Sequence, residues 1–111
     1  MQFANEVIFC VVNAGFSEQA MAAARECGAK GGTVLRARGT ANPNAEKLFQ
    51  IEIQPEKEIV MIICKSEIKD DIMHGLYRAV GLTSPANGIV FALPVEKTVG
   101  LGEKKPPETK S

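Results

Sequence analysis

Three apolar runs constrain this chain more than any other feature: Val7 to Val12 (VIFCVV), Glu58 to Cys64 (EIVMIIC) and Ile89 to Val95 (IVFALPV). Each is short and rich in β-branched or aromatic residues, so each reads as a strand. A strand with one wet face alternates apolar with polar residues, and these runs do not. Both faces of the sheet they form must therefore be covered. Only two stretches carry helical periodicity, and two helices cover one face. The second face needs another partner, of which a further copy of the same chain is the simplest. The patterning alone predicts a homo-oligomer.

Between these runs the elements follow in order. Asn13 to Phe16 turn the chain toward Ser17, read as an N-cap, with Glu18 in the first turn. Ala20, Met21, Ala24 and Cys27 then form an apolar helical stripe that Gly28 ends as a left-handed cap. Gly31 to Gly39 reads as the second strand. Thr40 to Asn44 are turn formers, Leu48 to Ile53 alternate as a half-exposed strand, and Gln54 to Lys57 make the next turn. Ser66 is read as the cap of a second helix, with Ile68, Ile72, Met73, Leu76, Ala79 and Val80 inward and Gly81 as the stop. Pro94 demands that the end of the last strand lie at a sheet edge or beyond the pairing.

With 111 residues the chain has room for one domain. That domain is placed at residues 1–102, and the charged, proline-containing residues 103–111 read as a disordered tail. The formal net charge is zero and aromatic residues are scarce, which gives no support to a broad hold on nucleic acid or to membrane insertion. Three cysteines, Cys10, Cys27 and Cys64, are an odd number at irregular spacing. They suit buried thiols in a reducing compartment, and the start Met1-Gln2-Phe3-Ala4 carries no leader pattern, so the expectation is a cytoplasmic protein.

The order β-α-β-β-α-β, with an extra strand-like hairpin in the middle loop, is the ferredoxin-like α+β arrangement. Its middle, Gly31 to Thr40 (GGTVLRARGT), joins paired glycines to a strand and then to a long loop, a place where such a fold displays a ligand site.

Three segments carry a family resemblance: CGAKGGTVLRARGT after the first helix, the acid-started helix SEIKDDIMHGLYRAVG, and the closing ANGIVFALPVEKTVGL. Together, from about Val7 to Leu101, they resemble the nitrogen regulatory P-II signal-transduction proteins and their P-II-like relatives. The resemblance implies a ferredoxin-like homotrimer with strands facing a central channel and nucleotides in inter-subunit clefts. It also implies a loop, Thr40 to Lys57 here, that contacts a target protein, a transporter or an enzyme, in nitrogen or related metabolism. Thr33 and Gly39 match positions lining the adenine nucleotide cleft, and Ala86, Asn87 and Gly88 fall at the phosphate loop, where bare backbone N–H groups close on phosphate oxygens. The resemblance makes an adenine nucleotide the candidate effector, with no resident cofactor.

Three departures matter. Ile89, Gly100 and Gly102 stand where the family has a lysine and two arginines, and an unneutralised buried phosphate is costly. Arg36 and Arg38, on one face of the second strand, and Lys104 and Lys105 in the tail are the candidates to supply charge from other directions. The Thr40 to Lys57 segment has no tyrosine for the uridylylation of some members; the sole tyrosine is Tyr77.

Plainer readings stand beside these. Arg36 and Arg38 suit a solvated strand face, Thr33 a packed strand, Gly39 a hinge and Asn87-Gly88 a turn. No nucleophile, base and orienting group fall into a catalytic pattern, and the expectation is a non-enzyme. Two other functions share the chain order: a metal-handling trimer of the copper-tolerance type, drawing on the cysteines and His74, and a ligand-free scaffold for a partner protein.

Overall fold

The structure is a computed structural model that describes residues 3–40 and 56–101. Six elements follow in order: β1 (Asn5–Asn13), α1 (Ser17–Glu26), β2 (Thr33–Arg38), β3 (Glu56–Lys65), α2 (Ser66–Val80) and β4 (Ile89–Val95). The strands form one antiparallel sheet in the order β2-β3-β1-β4. This is the ferredoxin-like arrangement expected from the element order.

The core lies between one sheet face and the two helices. Ile8, Cys10 and Val12 of β1 and Val60, Ile62 and Cys64 of β3 point into it, alternating as strand geometry requires, against Ala20, Met21 and Ala24 of α1 and Ile72, Leu76 and Val80 of α2. The opposite face is also apolar but open. Thr33, Met61, Phe9 and Phe91 form one row across the sheet, and Leu35, Ile59, Val11 and Ile89 form the next. Ile63, Phe91 and Leu93 on this face are 40%, 44% and 50% exposed. Greasy strands on both sides therefore have a concrete meaning: one side is the core, the other faces outward in a single copy.

Both strand boundaries and caps differ from the sequence reading in instructive ways. β1 is longer than Val7 to Val12 because Asn5 and Asn13 pair with Lys65 and Lys57. β2 is shorter than Gly31 to Gly39. Glu56 and Lys57, read as turn residues, belong to β3, where they oppose Arg38 and Ala37. Ser17 is the first helical residue rather than the cap; Phe16 holds the cap position without a side-chain bond. The Glu58 carboxylate instead accepts the Gly15 and Ser17 N–H groups, at 3.0 and 3.2 Å. Ser66 likewise caps nothing, because its hydroxyl donates to the Phe3 carbonyl at 2.6 Å. In both cases a long-range contact displaced a local one.

The C-terminus of α1 follows the sequence reading. Gly28 has φ +112°, its N–H donates to the Arg25 carbonyl and the Ala29 N–H to the Ala24 carbonyl, both at 3.0 Å, which is a full Schellman closure. α2 ends before Gly81, and β4, carrying Pro94, is an edge strand. The strand expected at Leu48 to Ile53, most of the Thr40 to Lys57 segment and the tail at 103–111 lie outside the described residues. No helix among the described residues is long and apolar enough to cross a membrane.

Candidate functional site

A difference in strand length creates one concavity. β2 starts at Thr33, opposite Met61, whereas β3 continues to Lys65. The edge of β3 from Ile62 to Lys65 has no strand beside it there, so every second residue offers backbone N–H and C=O groups outward. Between this edge and residues 28–32 lies a groove of about 480 Å³. Met61, Ile63 and Ile68 give it apolar walls, Thr33 stands at its rim, Lys30 and Lys65 line it, and Gly100 and Leu101 border it. Cys64 also lines it. Burial raises the Cys64 thiol above its ordinary pKa, the Glu6 carboxylate adds to this, and Lys69, which pairs with Glu6 at 3.4 Å, opposes it. The groove thus presents a neutral thiol.

The opposite end of β2 forms a second, polar depression lined by Arg36, Arg38, Glu56, Lys57 and Glu58. Arg36 opposes Glu58 and Arg38 opposes Glu56 in the ladder. The bond from Gly15 is the chief reason that the Glu58 carboxyl lies below its ordinary range; partial burial works against this, while the Ser17 contacts and Arg36 add to it. Lys57 Nζ donates to Asn13 Oδ1 at 2.8 Å, and Asn13 Nδ2 donates to the Pro85 carbonyl at 3.1 Å. This end of the sheet is therefore tied to the loop before β4.

That loop contains Ala86, Asn87 and Gly88, whose backbone N–H groups are all engaged. The Ala86 N–H donates to Ser84 Oγ at 3.2 Å, the Asn87 N–H to the Ser84 carbonyl at 3.0 Å and the Gly88 N–H to the Val80 carbonyl at 2.8 Å. Asn87 holds φ +51°. A phosphate arriving in this conformation finds these donors already used. Beside the loop, Ile89 borders a smaller groove with Asp70, His74, Tyr77 and Leu82.

The residues singled out from sequence thus fall into separate places. Thr33 lies at the groove, Arg36 and Arg38 at the other end of β2, and Gly39 just beyond that strand. Ala86 to Gly88 lead into β4, the opposite edge strand, beside the end of β1, where the Ala86 carbonyl accepts the Asn13 N–H at 2.9 Å; three strand spacings, about 14 Å, separate that edge from β2. No single pocket among the described residues holds them together. Sequence reading missed Lys30, Ile63, Cys64 and Lys65; the signal available was the GAKGG run beside Thr33, but the excess length of β3 became visible only with the register.

The thiols do not gather. Cys10 and Cys64 are buried, Cys27 is half-buried, and all three are free. Among the described residues no three His, Cys, Asp or Glu side chains come together as a metal cluster.

No family profile and no curated protein matches the sequence. Solved structures do match. Arabidopsis thaliana PII bound to citrate superposes with a TM-score of 0.69 at 17% identity, over 90% of this chain and 82% of that one. A PII-like signalling protein of Thermus thermophilus, described as putative, superposes with a TM-score of 0.63 at 17% identity, over 86% of this chain and 90% of that one. With βαββαβ order, the β2-β3-β1-β4 sheet and these superpositions together, the chain has the fold of the PII signalling proteins.

Proposed function

We propose that this chain is a P-II-like regulatory protein that acts as a homotrimer in the cytoplasm, binds an adenine nucleotide and controls a partner protein, without catalysing a reaction. The observation that carries the reading is the groove at the free edge of β3. A planar heterocycle with donor and acceptor positions on its rim matches exposed strand N–H and C=O groups, and Met61, Ile63 and Ile68 supply apolar contact for its faces. Thr33 adds a hydroxyl at the rim. The open apolar sheet face supports assembly, because packing it against two further copies removes it from water.

In such a trimer the opposite sheet edges of neighbouring copies are brought together, which would let Ala86, Asn87 and Gly88 of one copy approach the groove side of the next. Rearrangement of the Ser84 hydrogen bonds would then free the Ala86 and Asn87 amides for the ligand. Gly39, Arg36 and Arg38 lie at the base of the Thr40 to Lys57 segment, so occupancy would bias that segment between forms that do and do not fit a transporter or enzyme of nitrogen or related metabolism. The citrate of the Arabidopsis protein makes a polycarboxylate a second effector to try.

Isothermal titration with ATP, ADP, AMP, cyclic dinucleotides and citrate tests the reading. Binding of an adenine nucleotide, weakened about fivefold by Thr33→Val through loss of one hydrogen bond, is the expected result. No heat with any adenine compound would remove nucleotide sensing.

A further inference from the structure

The lining of the groove limits how much negative charge it can meet. Lys30 and Lys65 are the only cations among its described lining residues. Lys65 continues β3 past the end of β2, in register with Asn5, and Lys30 lies in the loop across from it. Neither forms an ion pair with a described carboxylate; Lys69, by contrast, pairs with Glu6 and Asp70. Gly100, which also lines the groove, brings no charge to it, and Ile89 borders a different concavity.

We infer that the groove recognises the first phosphate of a nucleotide and no more, with Lys30 and Lys65 as the groups that hold it. This rests on the adenine-nucleotide reading above. A nucleoside monophosphate carries about two negative charges near neutral pH, which two lysines balance. Further phosphates of a diphosphate or triphosphate meet no additional cation among the described residues of the groove lining, and the amides that a neighbouring copy's Ala86 to Gly88 loop would bring are neutral, so the added charge stays unbalanced. These phosphates therefore add little affinity, and a divalent cation bridging them has no carboxylate of the groove lining to join.

Titration of the full-length protein with adenosine, AMP and ATP, repeated with Lys30→Ala and Lys65→Ala, tests this. Both side chains are exposed, so the variants keep the fold, and circular dichroism checks it. AMP should bind about fivefold to tenfold more tightly than adenosine, the sum expected from two partly screened charge contacts. ATP should lie within about threefold of AMP. Each lysine variant should lose part of the AMP preference and leave adenosine unchanged. Adenosine and AMP binding equally, ATP binding far more tightly than AMP, or variants that leave the AMP preference intact would each overturn the inference while the nucleotide reading stands. Failure of adenosine and of every nucleotide to bind would instead overturn that reading and this inference with it.

Discussion

Glu58 Oε1 accepts the Gly15 N–H at 3.0 Å across 43 residues of sequence, and the same oxygen accepts the Ser17 N–H at 3.2 Å. A carboxylate on β3 thereby terminates α1, a helix whose own cap position, Phe16, has no side chain able to do so. The backbone bond from the Ala14 N–H to the Glu56 carbonyl, 3.2 Å, reinforces the same seam. Helix α1, β1 and the base of the Thr40 to Lys57 segment are locked together at this point.

Glu58→Ala should therefore destabilise the protein by about 1 kcal/mol, the typical worth of an N-terminal cap, read as a lower urea midpoint at unchanged slope. The pH dependence has a definite sign. Because the folded-state pKa is depressed, the contribution is present above the unfolded value, about 4.3, and disappears as pH falls through the folded value. The gap between wild type and Glu58→Gln should be widest near neutrality and close at acid pH. A gap that is constant down to the acid range would show that Glu58 acts by packing alone.

Gly88 gives a second prediction. Its N–H donates to the Val80 carbonyl at 2.8 Å, so the two backbones lie in contact where α2 ends and β4 begins. A Cβ at this position would overlap the Val80 carbonyl oxygen and press on Val12 Cγ1 at 3.1 Å. Backbone cannot retreat as a flexible side chain can. Gly88→Ala should cost about 2 to 4 kcal/mol and lower soluble yield, whereas Asn87→Gly, at φ +51°, should be tolerated or slightly stabilising. Equal stability of Gly88→Ala and wild type in urea unfolding would contradict this close approach.

The thiols should differ sharply in reactivity. Burial pushes the Cys10 thiol up to about 11, and its side chain has no exposure. Alkylation by iodoacetamide at pH 8, followed by mass spectrometry, should leave Cys10 unmodified in the native protein, label Cys64 slowly at the groove and label Cys27 first; all three should react in urea. The thiolate is the nucleophile, so both burial and raised pKa slow the reaction. Nucleotide protection of Cys64 but not of Cys27 would in addition place the ligand in the groove.

The fold is legible in the residues because its determinants are local or periodic. VIFCVV, EIVMIIC and IVFALPV need only composition to read as strands, and Ile72, Leu76 and Val80 need only a helical period to fall in the core. What stays hidden depends on register. Nothing near Ser17 announces that Glu58 will cap its helix, and Ser66 reads as a cap until the Phe3 carbonyl claims its hydroxyl. The groove is the same kind of feature: it exists because β2 begins only at Thr33, opposite Met61, while β3 runs on to Lys65. Thr33 stands out in the sequence, but Lys30 and Lys65 carry no motif and acquire meaning only from their positions around that missing strand.

The open sheet face yields the prediction on which assembly depends. Phe9 and Phe91 stack there with ring centroids 5.2 Å apart, in the row that also holds Met61 and Thr33. Phe91 is 44% exposed in the single chain, so a polar residue at this position disturbs the isolated fold little. In the proposed trimer the same position would be buried, and an unpaired carboxylate there would cost several kcal/mol per subunit. Phe91→Glu should therefore keep native circular dichroism and convert a species of three times the chain mass into a monomer in sedimentation equilibrium. Leu93→Glu, in the next row outward on β4, should act in the same direction. Since the groove and the loop at Ala86 to Gly88 lie on opposite sheet edges, the monomeric variants should also lose the part of nucleotide affinity contributed by a neighbouring copy, so titration and sedimentation should change together. A wild-type protein that sediments as a monomer at working concentration would leave the apolar face without the partner that its composition demands.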